Sequence, residues 1–340
     1  MAAADRTAFL ASHGWANADA TVIAGDASQR QFERLRRRDA SRPGSAVLIA
    51  SAPHAADVPA FVRIAALLRQ CGLSAPEVYA VDAAAGLVLV EDFGDVCLGR
   101  LVAAGADPAP HCRAAVDVLI ELHRRFDSGR ADLADLPRFD SALFLSQLTL
   151  FLDTYLPAAL GAAPDGRIRD AFADAWRAVL PAAEAVPQSL LLRDYHLGNL
   201  MRLDGRGGVR ATGLLDVQDA GLGPVTYDLV SVLEDSRLDT DACAPGLMAH
   251  YLAAFPALDP RAFAASAAVL GAVRQCRIMA VFARLASAEG KRGYLAHLPR
   301  IWRLFERRLG DPALAPVAAW FRQFVTSERR IPAAFRDAGG

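Results

Sequence analysis

The sequence predicts an α+β protein with a small, β-rich N-terminal lobe and a larger, mainly helical C-terminal lobe. Short strand-like segments separated by polar turns dominate the first ninety or so positions, whereas helical periodicity dominates beyond about residue 100. A chain of 340 residues with 53% apolar content can bury a large core and commonly divides into two parts. We therefore predict one lobe over residues 1–95 and a second over residues 96–340.

The N-terminal lobe is predicted to be an antiparallel sheet with one helix packed on it. Strand-like segments TVIAG, FERLRR and AVLIA are separated by the polar segment GDASQRQ and by a turn at Arg42-Pro43-Gly44. The segments EVYAVD and GLVLVED then alternate around a turn at residues 83–86, as the two strands of a hairpin do. Between the AVLIA and EVYAVD segments, residues 57–71 carry apolar side chains at helical spacing.

The C-terminal lobe is predicted to be helical with one β-rich interruption. Apolar residues recur three and four positions apart in HCRAAVDVLIELHRRF, FDSALFLSQLTLFLDTYL and RDAFADAWRAVL. Short strands are expected over residues 189–217, on either side of a glycine turn at 205–208. Helical patterns then resume over 241–254, 260–288 and 294–309, so the polar segments within 189–217 are predicted to be loops carried by short strands.

Composition narrows the class of partner. The formal net charge is −1, from 37 basic and 38 acidic residues, which favours neither nucleic acid nor an anionic membrane surface. Five cysteines without a CxxC pair suggest neither a zinc site nor a disulfide framework. We find no secretory signal and no segment approaching the ~20 apolar residues of a membrane span. We expect a cytoplasmic protein with small-molecule or protein partners.

The most informative segment is LRDYHLGN, which contains Asp194 and Asn199, followed by Asp216 in LLDVQD. Transfer of a phosphoryl group from ATP requires metal ligands and a group that orients the attacking hydroxyl. In this interpretation Asp194 accepts the hydroxyl proton, while Asn199 and Asp216 bind Mg²⁺ through oxygen atoms. The alternative is a loop-capping Asp194, a turn residue Asn199 and a solvated Asp216 at a strand end. The combination of all three favours phosphoryl transfer.

This segment resembles the HxDxxxxN loop and the following metal-binding aspartate of the aminoglycoside phosphotransferase/choline kinase superfamily. The resemblance implies a protein-kinase-like fold, in which residues 1–95 bind the nucleotide and residues 96–340 carry the catalytic and substrate-binding groups. Leu192 stands where the motif has histidine. Five blocks, two of which contain these motif segments, are similar to the bacterial anomeric kinases: GDASQRQFER, VLVEDFGD, LLRDYHLGNLM, LLDVQDAGLGPVTYDLVSVLED and VFARLASAEGKRGYLAHLPR.

The narrower resemblance implies a substrate. It implies transfer of the γ-phosphate of ATP to the C1 hydroxyl of N-acetylmuramate or N-acetylglucosamine, sugars recovered from the cell wall. Two alternatives remain open at this point. One is a phosphotransferase for another small alcohol, such as an aminoglycoside or a choline-like molecule. The other is a catalytically inactive nucleotide-binding protein.

The nucleotide contacts are less regular than the catalytic motif. The third strand, SAVLIAS, lacks the lysine that kinases commonly use on ATP phosphates, and Lys291 is the sole lysine of the chain. We hypothesise that Arg30 or Arg34 replaces it, since guanidinium binds phosphate bidentately, although exposed arginines would have the same pattern. Ser28 is either a further phosphate contact or a plain turn residue. By resemblance, Glu91 and Phe93 belong to a hinge that contacts adenine, although Phe93 also fits a core position.

Acceptor contacts are predicted from proximity in sequence to the catalytic residues. Four side chains flank the catalytic or metal-binding carboxylates: Tyr195, His196, Gln218 and Asp219. His196 is equally consistent with a hydrogen-bonding role within the loop. Arg274, which recurs with Arg277 and Arg284 on one predicted helix, could meet the carboxylate of N-acetylmuramate, the alternative being a solvated helix face.

Overall fold

A computed structural model of the chain, which describes residues 3–23, 30–38, 43–51, 57–129 and 133–336, divides it into two units. Unit 1 comprises Met1–Ala106 and Leu192–Ala220, and unit 2 comprises Asp107–Leu191 and Gly221–Gly340. The predicted fold class is confirmed, with an antiparallel sheet near the N-terminus and a larger helical part. The lobe boundary after residue 95 stays a prediction.

Unit 1 contains a five-stranded antiparallel sheet in the order β1-β2-β3-β5-β4. Its strands are β1 (Asp19–Ile23), β2 (Gln31–Arg36), β3 (Ser45–Ala50), β4 (Val78–Asp82) and β5 (Leu87–Glu91). Its helices are α1 (Ala3–Ser12), α2 (Asp57–Gln70) and α3 (Leu98–Ala103). One face buries Leu35, Leu48 and Leu89 completely, because alternate side chains of a strand point to the same face. These leucines form a core with Phe9 and Trp15.

The second stretch of unit 1 carries the catalytic motif on short elements. A 3₁₀ helix over Leu197–Asn199 leads into β7 (Leu200–Arg202), which pairs antiparallel with β8 (Thr212–Leu214). Met201 and Leu203 pack with Phe93 and Cys97 in a small cluster. A Cβ at Gly213 would lie 2.6 Å from the Phe93 ring, so the packing requires glycine there.

In its described residues, unit 2 is mainly helical and contains one strand pair. The strands β6 (Gln188–Leu191) and β9 (Gly221–Pro224) are antiparallel. The helices are α4 (Pro108–Arg125), α5 (Ser141–Thr154), α6 (Leu156–Leu160), α7 (Gly166–Ala183), α8 (Thr226–Leu233), α9 (Ala244–Ala254), α10 (Pro260–Ala288), α11 (Leu298–Leu309), α12 (Ala315–Phe324) and α13 (Ala333–Arg336). The core buries large aromatic side chains, including Phe144 stacked on Tyr227 at 5.8 Å between ring centroids.

Helix α10 corrects one prediction. It is long and apolar enough to cross a membrane by length and composition, so the expectation that no segment approaches a membrane span was wrong. In its most apolar stretch, 78% of the residues are buried inside the structure. The central helix of a helical core has the same properties, so this observation is weak evidence for a membrane span.

A half-buried histidine in unit 2 predicts acid sensitivity. His123 on α4 lies 2.7 Å from the Tyr251 hydroxyl, and burial lowers its pKa to about 3 from an ordinary value of 6.5. Between these pH values the unfolded chain binds a proton that the folded protein does not. The free energy of unfolding should therefore fall as the pH is lowered from about 6.5 towards 3, by up to about 1.4 kcal/mol per pH unit for this proton.

Urea titrations over this pH range test the expectation. His123→Gln should unfold with a shallower pH dependence than the unchanged protein. His13→Gln, at an exposed position in unit 1, is the matched control. An unchanged slope in His123→Gln would show that this proton does not link folding to pH.

Candidate active site

The Asp194–Asn199 loop is held in shape by its own hydrogen bonds. The Asn199 side-chain nitrogen donates to the Asp194 backbone carbonyl at 2.9 Å, and the Asn199 backbone N–H donates to the His196 carbonyl at 2.9 Å. Since the amide nitrogen is committed to the loop, the amide oxygen is the end of Asn199 available to a cation. Arg193 has a φ of 70°, an uncommon backbone conformation for a residue other than glycine.

The segment that carries Asp216 is tied directly to this loop. The Leu215 backbone N–H donates to the Asn199 carbonyl at 3.0 Å. Asp216 itself has a φ of 59°, so Arg193 and Asp216 are the two residues other than glycine with positive φ in the described part of the chain. Strained residues of this kind often occur at functional sites, because the surrounding structure must enforce them. The structure thus brings two predicted site segments together.

The acidic residues of these segments act on one another electrostatically. Burial raises the pKa of Asp219, the Arg193 guanidinium opposes that shift, and the negative charges of Asp194 and Asp216 add to it. Arg193 Nη1 lies 3.4 Å from Asp219 Oδ2. The charges of Asp194 and Asp216 therefore act on Asp219, and a cation among these carboxylates would oppose that effect.

Sequence analysis missed the residues that support the catalytic loop from the start of α3. A Cβ at Gly99 would lie 2.8 Å from the Gly198 nitrogen, a distance that real Cβ atoms do not show. The Cys97 thiol contacts the carbonyls of Gly198 and Leu197 at 3.4 and 3.6 Å. No local pattern predicts these contacts, since they join positions about a hundred residues apart.

Arg30 lies against the predicted metal-binding carboxylate. Its Nη2 is 2.5 Å from Asp216 Oδ1, and its Nη1 donates to Gln218 Oε1 at 2.9 Å. The Gln218 amide nitrogen donates to the same Asp216 oxygen at 3.1 Å. The Arg30 side chain is only 13% exposed, so the alternative of an exposed arginine is wrong for this residue.

Arg34 is held instead by the segment that follows β5. Its guanidinium donates to Asp92 Oδ1 at 3.0 Å, to Asp95 Oδ1 at 2.6 Å and to the Gly94 carbonyl at 2.9 Å. Burial lowers the pKa of Arg34, but these carboxylates outweigh that effect and raise it. The side chain is 12% exposed, so the exposed alternative is wrong here too.

The predicted adenine hinge, Glu91 and Phe93, contacts other residues of unit 1. The Glu91 backbone N–H donates to the Glu77 carbonyl at 2.8 Å, and the Glu91 carboxylate pairs with Arg206, a residue that sequence analysis did not single out. The Arg206 guanidinium also lies 5.5 Å from the centroid of the buried Phe93 ring. The adenine-binding roles of Glu91 and Phe93 stay predictions. Ser28 lies outside the described residues.

The predicted acceptor contacts differ in exposure. Tyr195 is 2% exposed, whereas the His196 ring is partly exposed and its Nδ1 accepts from the Gly198 N–H at 3.1 Å. Arg274 is buried inside unit 2, where it donates to the Glu234 carbonyl at 3.0 Å. A solvated helix face is therefore the wrong interpretation of Arg274, and its role as a sugar contact stays a prediction.

The donor set suits Mg²⁺ better than a transition metal. Within the described part of the chain, no three His, Cys, Asp or Glu side chains are arranged to hold a metal ion. Magnesium needs few protein ligands, because it keeps several waters and binds substrate phosphates. One carboxylate and one amide oxygen, from Asp216 and Asn199, match that requirement.

The sheet of unit 1 and the helical unit 2 define a protein-kinase-like fold, a class shared with solved phosphotransferases. Residues 19–264 match the phosphotransferase enzyme family. Because this match covers most of the chain, the chain belongs to that family, whose members are transferases of phosphoryl groups.

Curated relatives extend the similarity over nearly the whole sequence. An N-acetylmuramate/N-acetylglucosamine kinase from Caulobacter vibrioides is 35% identical and aligns over 96% of this chain and 98% of its own. A protein of the same name from Pseudomonas aeruginosa is 29% identical over 88% of this chain and 87% of its own.

Solved structures agree on the fold. A choline/ethanolamine kinase family protein from Mesorhizobium loti has a TM-score of 0.60 at 18% identity, over 95% of this chain and 100% of its own. The GDP complex of aminoglycoside 2'-phosphotransferase-IIIa has a TM-score of 0.62 at 15% identity, over 90% of this chain and 99% of its own. At such low identity these structures support the fold alone.

Proposed function

We propose that this protein uses ATP and Mg²⁺ to phosphorylate the C1 hydroxyl of N-acetylmuramate or N-acetylglucosamine in the cytoplasm. The observation that carries the proposal is the close association of the Asp194–Asn199 loop with the Asp216 segment, through the bond from Leu215 to Asn199. Phosphoryl transfer depends mostly on positioning and charge neutralisation, and these two segments supply groups for both tasks.

Asp194 is proposed to receive the proton of the acceptor hydroxyl. The hydroxyl oxygen forms a new bond to the γ-phosphorus, the bond from that phosphorus to the bridging oxygen breaks, and ADP leaves. The Asp194 carbonyl anchors the Asn199 side chain, so any displacement of Asp194 would also move a proposed metal ligand. This coupling supports a catalytic rather than a capping role for the loop.

Asn199 and Asp216 are proposed to hold the metal ion through their side-chain oxygens. Bound Mg²⁺ would supply neutralisation of negative charge on the transferring phosphate. The negative charges of Asp194 and Asp216 add to the raised pKa of Asp219, and this supports the assignment because a cation would oppose their effect.

The amino-sugar acceptor is supported by the names of relatives that align with nearly the whole chain. The polar groups beside Asp194 also favour a neutral or anionic acceptor over a polycation. They include Arg193 and Gln218 as well as carboxylates, whereas an aminoglycoside site should be strongly acidic.

A product assay tests this proposal. The purified protein is incubated with Mg-ATP and a panel of N-acetylmuramate, N-acetylglucosamine, aminoglycosides and choline, and products are identified by phosphorus NMR. A sugar 1-phosphate is expected. A phosphate ester of another acceptor would replace the substrate assignment, and the absence of any product would favour an inactive nucleotide-binding protein.

A further inference from the structure

The guanidinium of Arg30 forms an ion pair with Asp216, the carboxylate to which the proposed function assigns the metal ion. Asp216 Oδ1 accepts from Arg30 at 2.5 Å and from the Gln218 amide nitrogen at 3.1 Å. Arg30 also donates to Gln218, so the side chains of Arg30, Asp216 and Gln218 are hydrogen-bonded to one another. A divalent cation that approaches this oxygen therefore competes with Arg30.

Because Arg30 is partly buried, a metal ion alone should compete with it less well than a metal ion that arrives with a polyphosphate. The Arg30 side chain is 13% exposed, whereas that of Asp216 is 38% exposed. A buried charge that loses its partner is strongly unfavourable. A metal ion on Asp216 would weaken the Arg30–Asp216 pair and place a second positive charge beside Arg30. A nucleotide that arrives with the metal would offer its phosphates to Arg30 instead.

Arg34 is a poorer candidate for the phosphate contact. Its guanidinium already donates to two carboxylates and one carbonyl, at Asp92, Asp95 and Gly94. A phosphate would have to displace these acceptors, and two carboxylates would be left without their cation. Arg30 pairs with Asp216, the carboxylate that the metal would occupy.

We infer that Arg30 is the phosphate-binding cation in place of the missing third-strand lysine, and that it moves from Asp216 to the nucleotide phosphates when the metal binds. This inference rests on the proposed function. The Arg30–Asp216 pair then acts as a latch that disfavours metal alone and admits metal together with polyphosphate. The latch also keeps Asp216 neutralised before the nucleotide arrives.

Two binding measurements test the latch without relying on activity. Titration calorimetry would measure the affinity for Mn²⁺ alone and, separately, for a non-hydrolysable ATP analogue in the presence of Mg²⁺. Arg30→Met should bind Mn²⁺ alone about tenfold more tightly, because no guanidinium competes with the metal for Asp216. It should bind the Mg-analogue about tenfold more weakly, because one charge-assisted contact to phosphate is lost. The opposite signs of the two effects distinguish a latch from general damage.

Arg38→Met is the matched control. Arg38 also pairs with one aspartate, Asp19, but the two side chains are 72% and 59% exposed. Neither affinity should change in this variant. Arg30→Lys is the second test variant, because lysine retains the charge without the bidentate geometry, so both shifts should be smaller than in Arg30→Met.

The outcomes separate this inference from the proposed function. If Arg30→Met binds Mn²⁺ alone no more tightly than the unchanged protein, the latch is refuted. If it binds the Mg-analogue equally well, the phosphate role is refuted while the kinase proposal stands. A wild-type protein that binds no Mg-analogue at all would overturn the proposed function, and the latch with it. Thermal unfolding of each variant establishes that the protein compared is folded.

Discussion

Asp194→Asn is expected to lower kcat by about 10²–10⁴-fold, the usual contribution of a positioned general base. The substitution keeps the size of the side chain but removes the carboxylate that accepts the proton. The hydrogen bond from the Asn199 side-chain nitrogen to the backbone carbonyl of residue 194 should persist, so the proposed metal ligand stays in place. The KM for ATP should therefore change by no more than about threefold, because the lost interaction belongs to the transition state.

The matched control for this variant is Asp204→Asn. Asp204 lies between β7 and β8 in the same stretch of unit 1, and its side chain is 80% exposed. This variant undergoes the same chemical change and should keep the kcat of the unchanged protein. Steady-state kinetics of sugar phosphorylation would measure both. An Asp194→Asn protein that keeps more than about a tenth of the kcat would rule out the general-base role.

Gly99→Ala is expected to lower kcat by about 10–100-fold without touching a reacting group, since small misplacements of catalytic groups are costly. The new methyl group would lie 2.8 and 2.9 Å from the nitrogen and Cα of Gly198, and 3.0 Å from the Leu197 carbonyl carbon. All three are backbone atoms, so the loop between Asp194 and Asn199 must move. We also expect about 1–3 kcal/mol of destabilisation from overpacking, less the better helix propensity of alanine.

Gly246→Ala separates the two contributions. Gly246 lies in α9, and nothing stands within 4 Å of the position its Cβ would take. This variant should be unchanged in activity and more stable by up to about 1 kcal/mol. Urea unfolding and kcat should be measured on both proteins. Full activity in Gly99→Ala would mean that the loop tolerates the shift and that the α3 contact does not position it.

The elements were predictable from sequence because their signals are local. Helix α10 was predicted over 260–288 and is observed over Pro260–Ala288, since Asp259 caps it and apolar residues recur at helical spacing. The strand-like segments FERLRR, AVLIA and GLVLVED likewise correspond to the observed strands Gln31–Arg36, Ser45–Ala50 and Leu87–Glu91. The membrane expectation failed at the same helix, because a long apolar core helix and a membrane span have similar compositions.

The candidate catalytic residues could also be identified from sequence, because Asp194, Asn199 and Asp216 lie within one stretch of 23 residues and have the spacing of a known motif. The resemblance to a phosphotransferase family rested on that spacing, and the family is confirmed. Their individual roles stay proposals.

Only the tertiary structure decided which distant groups meet these residues. Arg30 and Asp216 are separated by 186 positions, and Arg34 and Asp95 by 61. Arg30 and Arg34 were equivalent candidates by sequence, because Arg30 lies in the polar segment GDASQRQ and Arg34 in the strand that follows it. Contacts between positions so far apart depend on the path of the whole chain, whereas sequence periodicity reports only neighbours within a few residues. The close approach of α3 to the backbone of Leu197 and Gly198 likewise explains why residue 99 is glycine.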